Sequence, residues 1–388
     1  MKDFWSFLKI KSSILKDIGF VGFSNFFGLG SSALLWFFLA KELGAGSYGE
    51  IQYYLSIAGI AYIISSLGTP NVITVYAAKK IEIFSTLMII SLAGGFIAFT
   101  ALVILFQRID LGLLVIAFII HDFTLNYFLG KKSYKDYSKY FILQKCLMII
   151  MVIGLYYLIG FNGILYGIII SHLVIIFITI KLFKISKINF SNLKLRMEFV
   201  STNYFERLVS GLKGEMDKLI IIPFLGFEIL GNYALGIQFY SILMILSQIF
   251  LKYQVPQDAS NISNKKLKKL ILINSIGMSI IGIVVFPKII EIFFADYTET
   301  IITIQIMSLA ATPATLGFIY ISEFLGLEKA RYVVTGRILS LLTLITGIII
   351  LSNYYGIVGA ASSFVLASCA QTIFYVFAKI RLEKQKSI

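Results

Sequence analysis

Apolar runs of about 20 residues recur along the whole chain, and the Lys and Arg residues between them gather in every second gap. A run of that length crosses the ~30 Å hydrocarbon core as a helix. Backbone inside lipid must bond to itself, which leaves helices or closed barrels. Long unbroken runs select helices, since barrels show short alternating segments. Composition agrees: the 388 residues are 58% hydrophobic and 14% charged, against roughly 25% charged in soluble domains. The pattern predicts twelve helices, at 18–40, 51–76, 83–106, 110–130, 140–159, 162–182, 204–225, 229–251, 268–290, 300–322, 331–352 and 355–378.

Basic residues fix the orientation, because cytoplasmic loops are rich in Lys and Arg. With the N-terminus inside, 27 of the 34 Lys and Arg fall in inner segments and three (Lys41, Arg108, Lys288) in outer ones. The other four, Lys145, Lys213, Lys218 and Arg337, sit within spans. A split this uneven, alternating at every loop, supports the helix count and puts both termini in the cytoplasm. It also accounts for the net charge of +14 without a nucleic-acid partner. Residues 1–17 carry Phe4, Phe7, Leu8, Ile14 and Leu15 near one helical face among four Lys, which suits a segment lying on the inner membrane surface rather than a cleaved signal. Cys146 and Cys369 fall in spans and read as small core residues. The expected organisation is this N-terminal segment, a first bundle over 18–182, a linker over 183–203, a second bundle over 204–380 and a tail over 381–388.

The two bundles share a motif. Leu43-Gly44, four residues and Gly49 recur as Leu225-Gly226, four residues and Gly231. Six helices per copy is an even number, so both copies enter from one side. That predicts a parallel repeat, two six-helix bundles related by a pseudo-two-fold axis along the membrane normal, with a substrate passage between them.

The helix over 204–225 carries more charge than a lipid-facing span tolerates. Each charge at the bilayer centre costs roughly 2.5–3.5 kcal/mol on insertion scales. At 100° per residue, Glu206, Arg207, Ser210, Lys213, Gly214, Asp217 and Lys218 fall on one side, with Glu215 beyond it, and Leu and Phe fill the rest. Two readings follow: ion pairs Lys213–Asp217 and Glu215–Lys218 that hold the bundle, or a polar wall of a cavity. Asp122, mid-span beside His121, is either a proton or sodium site or the partner of a basic residue. His172 reads as a hydrogen-bonded packing residue. Lys145 suits snorkelling, and Arg337 suits either snorkelling or a cavity. The chain has no phosphate loop, no metalloprotease or nucleophile-elbow motif and no Cys/His cluster. If it transports, it is therefore a secondary transporter or a facilitator.

The stretch Glu215-Met216-Asp217-Lys218, an aliphatic run, Leu225-Gly226 and then Gly231-Asn232-Tyr233 resembles the seventh-helix signature of polysaccharide-biosynthesis flippases. Helix count, parallel halves and topology are similar to the multidrug/oligosaccharidyl-lipid/polysaccharide (MOP) exporters, so the expected fold is MATE/MurJ-like. Ala45 replaces a Pro common in the first motif, Pro223 interrupts the aliphatic run, and the first helix lacks the charges of peptidoglycan-precursor flippases. The resemblance implies a Wzx-type flippase in the bacterial cytoplasmic membrane. Its cargo would be an undecaprenyl-diphosphate-linked oligosaccharide for O-antigen, capsule or a related glycan. Arg207, Lys213, Lys218 and Arg337 would meet diphosphate or acidic sugars, and Asp122, Glu215 and Asp217 would pair with them or bind a coupling H+ or Na+. No cofactor is implied. A polysaccharide polymerase and a chain-length regulator are the implied protein partners, alongside membrane lipid. The alternative is a MATE-like, cation-coupled exporter of small molecules.

Overall fold

The computed structural model describes residues 2–260 and 264–386, with side chains for 19–255, 257–260 and 264–384. The amphipathic face expected on residues 1–17 therefore lies outside the described side chains. Fourteen helices follow one another, and no strand occurs among the described residues. They run α1 (Lys2–Ser65), α2 (Pro70–Ala78), α3 (Phe84–Phe106), α4 (Ile109–Gly130), α5 (Tyr134–Ile159), α6 (Asn162–Leu173) and α7 (Ile176–Ile185). Then come α8 (Phe190–Lys194), α9 (Met197–Leu243), α10 (Ile245–Ala259), α11 (Lys265–Phe293), α12 (Thr298–Ser308), α13 (Ala311–Gly326) and α14 (Ala330–Lys386).

Fourteen helices and twelve crossings are compatible. Among the described residues, eight helical stretches are long and apolar enough to span a bilayer, and α12 with α13 form one further span bent by 43°. Three of the eight are double. α1 turns at Gly44 (φ 69°), α9 at Gly226 (φ 79°) and α14 at Gly356 (φ 56°). Positive φ costs an L-residue its Cβ clearance, so glycine is the residue that lets two helices run on through one tight turn. The second predicted crossing continues from α1 into α2, the sixth from α6 into α7 and the eighth from α9 into α10. The protein is thus an all-α, polytopic membrane protein of twelve spans.

Its polarity matches that setting. Large apolar side chains face outward, with Phe177 82% and Leu158 78% exposed, while Ser91, Thr124 and Ser363 are fully enclosed. Small hydroxyl residues let helices approach and bond to backbone carbonyls within lipid.

The chain forms two compact units, Met1–Trp36 with Ile57–Leu208, and Phe37–Ser56 with Val209–Ile388. In the first, α4 is enclosed by α2, α3, α5 and α6, with Leu111, Leu114, Val115 and Phe123 fully buried. In the second, α13 packs on α10, α11 and α14. A cluster of Ile321, Phe324, Val333, Tyr375 and Ala378 closes one end of that packing.

The repeated motif does its work inside the second unit. A Cβ on Gly49 would strike the Phe227 carbonyl, and a Cβ on Gly231 would strike the Ala45 carbonyl. Each copy's final glycine thus receives the backbone that follows the other copy's turn. A second repeat was not legible beforehand. Gly160 and Gly356 both have positive φ, and Gly163 and Gly359, three residues on, lie against the carbonyls of Leu155 and Leu351.

Candidate functional site

The predicted charged residues fall into one polar constellation in each unit, and the second unit also holds an ionic network of Lys268, Asp258, Glu323 and Lys379. In the first unit Asp122, on α4, accepts a 2.5 Å hydrogen bond from the Tyr62 hydroxyl of α1. Arg207, at the start of α9, donates to the same Tyr62 oxygen at 2.7 Å and stands 3.7 Å from the Asp122 carboxylate. Its guanidinium also lies over the Tyr62 ring, 5.0 Å from the centroid. His121 places Nδ1 3.6 Å from the other Asp122 oxygen and its ring 4.8 Å from that of His172. His172 in turn bonds the Ile168 carbonyl at 2.8 Å, a packing arrangement. Lys145 lies over the Phe141 ring at 5.7 Å. The partner of Asp122 is therefore Arg207, joined through a tyrosine whose sequence context gave no signal.

The second unit holds the rest of the charged helix, and the structure spreads its residues apart. Asp217 is 3% exposed. It accepts from its neighbour's amide, Lys218 N, at 2.8 Å and from the Tyr233 hydroxyl at 3.0 Å. That second bond crosses the turn at Gly226 and clasps the two halves of α9. Asn232, beside Tyr233, accepts from both the amide and the hydroxyl of Thr300 at 3.0 Å. The Asp, Asn and Tyr of the flippase-like signature are thus joined by bonds that hold the hairpin and anchor it to α12. Lys218 pairs with Glu215 at 2.9 Å, one of the two expected pairs. The other, Lys213–Asp217, does not form. Arg337 is half-buried on α14, next to Gly336, which lies against the Tyr375 ring.

Lys213 points elsewhere. Its ammonium donates to the Gln371 side-chain oxygen of α14 at 2.8 Å. Gln371 gives its own amide to the Tyr375 hydroxyl at 2.9 Å, which donates to the Val333 carbonyl at 3.0 Å. The chain of bonds fixes the Gln371 oxygen toward Lys213. Both residues line a cavity of about 190 Å³ formed by α9, α10, α13 and α14. Of its fifteen lining residues Lys213 is the one ion, and none is Asp or Glu. Among the described residues no carboxylate comes within ion-pair distance of Lys213. Of the four cationic candidates, the cavity receives this one, and the sequence had given no reason to name Gln371.

No family model matches the chain. An uncharacterized membrane protein of Methanocaldococcus jannaschii is 26% identical over 417 aligned positions, covering 96% of this chain and 99% of that one. Solved structures share its fold. A multidrug resistance MATE family transporter of the MOP superfamily, in an inward-facing conformation, superposes with a TM-score of 0.73 over 93% of this chain and 95% of that one, at 12% identity. The lipid II flippase MurJ, in an inward closed conformation, gives 0.68 over 92% and 87%, at 14% identity. A MOP superfamily transporter from Pyrococcus furiosus, described as having a binding pocket of reversed polarity, gives 0.61 over 96% of each chain at 13% identity. The chain therefore has the fold of the MATE and MurJ transporters of the MOP superfamily.

Proposed function

We propose that this protein is a flippase. It moves an oligosaccharide carried on a polyprenyl diphosphate, such as undecaprenyl diphosphate, across the cytoplasmic membrane by alternating access, for the assembly of a surface polysaccharide. The observation that carries the reading is Lys213: an ammonium that lines a cavity among the spans, with no counter-ion among the described residues. Burying an unpaired charge is expensive, so such a group is kept for a ligand that completes it. A lipid-linked anion suits it, because the prenyl chain remains in the bilayer while only the polar headgroup needs an interior path. The fold is shared with a lipid II flippase and with a MOP superfamily transporter described as having a binding pocket of reverse polarity.

Asp122, Glu215 and Asp217 remain the candidates for coupling to H+ or Na+, with Asp217 favoured because Arg207 pairs with Asp122 and Lys218 with Glu215. The glycan polymerase and chain-length regulator expected in the same membrane would take the product on the outer face. Similarity to a multidrug transporter favours a second reading, export of small molecules. A cavity without a carboxylate speaks against organic cations as that cargo.

Deleting the gene and measuring lipid-linked glycan on each membrane face tests the proposal. Accumulation on the cytoplasmic face with loss of surface glycan supports it. Unchanged pools would leave the small-molecule exporter.

A further inference from the structure

Resting on the flippase reading, we infer that the α9/α10/α13/α14 cavity is a subsite for one acidic sugar unit of the glycan, a hexuronate in type, rather than for the diphosphate. Size comes first. At about 190 Å³ the cavity is smaller than the roughly 300–1,000 Å³ of sites for drug-sized ligands. It suits a single ring, not an oligosaccharide.

Charge comes second. One ammonium faces the cavity, and much of the remaining wall is Phe, Met, Leu, Ile and Ala. A diphosphate carries several charges and takes more donors than that. A carboxylate carries one, and Lys213 has two N–H groups left after its bond to Gln371.

Third, the wall is rich in acceptors. Ser241, Ser368 and Thr372 spend their protons on the carbonyls of Ile237, Phe364 and Pro313, at 2.8, 3.2 and 2.6 Å. Their lone pairs remain, and a ligand that brings O–H or N–H donors satisfies them. A bare inorganic anion does not. Fourth, Tyr240 is 8% exposed, and its hydroxyl has no hydrogen-bond partner among the described residues. Its ring stands edge-on to Phe364, 4.9 Å between centroids, which gives an apolar flank to the cavity. Carboxylate, several hydroxyls and an apolar ring face in one small molecule describe an acidic sugar. Gln371 acts as a positioning residue, its amide locked by Tyr375 so that its oxygen orients the Lys213 ammonium.

The test uses the purified full chain in detergent micelles and equilibrium binding of four probes: methyl glucuronide, methyl glucoside, acetate and inorganic pyrophosphate. The expected result is saturable glucuronide binding, with the glucoside and acetate at least tenfold weaker. Lys213→Gln should weaken glucuronide binding at least tenfold, and Lys288→Gln, an exposed lysine away from the cavity, should leave it unchanged. Equal binding of glucuronide and glucoside would overturn the inference. So would tighter binding of pyrophosphate that Lys213→Gln abolishes, or no binding by any probe. The flippase reading fails separately: a glucuronide site in a protein that moves no lipid-linked glycan in vesicles sinks that reading and keeps the subsite.

Discussion

Arg207 and Lys213 lie six residues apart on α9, yet their charges are treated in opposite ways. Arg207 belongs to the first unit, where Asp122 supplies a counter-charge at 3.7 Å and the Tyr62 oxygen accepts one of its hydrogen bonds. Lys213 belongs to the second unit, where a neutral amide is its partner and a cavity lies before it. The first arrangement carries its own counter-ion. The second does not. Total charge on a membrane helix therefore says little about function; what distinguishes a holding group from a binding group is whether the protein itself supplies the counter-ion.

The contrast can be broken by substitution. Arg207→Leu strands Asp122 beside Tyr62. Exposed pairs contribute about 0.2–1 kcal/mol, and losing one partner of a buried pair costs about 3–5 kcal/mol; with side chains 22% and 38% exposed and Tyr62 bonded to both partners, a loss of about 2 kcal/mol is expected, to be read by equilibrium unfolding in mixed micelles. Adding Asp122→Leu to that variant should recover most of the loss, because it removes the orphaned charge. No recovery would mean that the pair does more than neutralise itself. Tyr233→Phe removes the neutral donor that clasps Asp217 across the Gly226 turn. A hydrogen bond to a charged group contributes about 1.5–3 kcal/mol, so a loss of about 2 kcal/mol is expected in the same assay.

Lys213→Leu sharpens the comparison in the other direction. It deletes an uncompensated ion, and stability should hold or rise by about 1 kcal/mol. A loss as large as that of Arg207→Leu would show a hidden counter-ion and erase the distinction. Lys218→Gln gives the smallest effect. Its partner Glu215 is 29% exposed, and pairs of this kind contribute about 0.2–1 kcal/mol.

Much of the fold was legible because it follows from two short-range rules. The length of apolar runs gave twelve spans, but four of them, the second, sixth, eighth and tenth, are broken inside the predicted range, at 66–69, 174–175, 244 and 309–310. The Leu-Gly motif was legible as a repeat, but its physical content was not. The sequence showed matching letters at Gly44–Gly49 and Gly226–Gly231. Only three dimensions show that the first glycine of each copy adopts positive φ and the last admits the other copy's backbone. The Gly160/Gly163 and Gly356/Gly359 match carries no distinctive side chain and is not legible in the sequence.

At the site the sequence found the charged residues and missed their partners. Tyr62, Tyr233 and Gln371 are ordinary residues in composition, 145, 16 and 158 positions from the groups they serve. Helical periodicity put Lys213 and Asp217 on one face and so offered them to each other. Local geometry overrode it, since Asp217 turns to Tyr233 across the hairpin and Lys213 turns to α14.

The central claim is that Lys213 meets the anionic cargo of a lipid-linked glycan. The most direct measurement is headgroup translocation of a fluorescent polyprenyl-diphosphate oligosaccharide bearing a uronate, in vesicles holding equal amounts of folded wild-type or Lys213→Gln protein. The account predicts transfer by the wild type and a rate at least tenfold lower for the variant. Equal rates, or no transfer by the wild type, would contradict it.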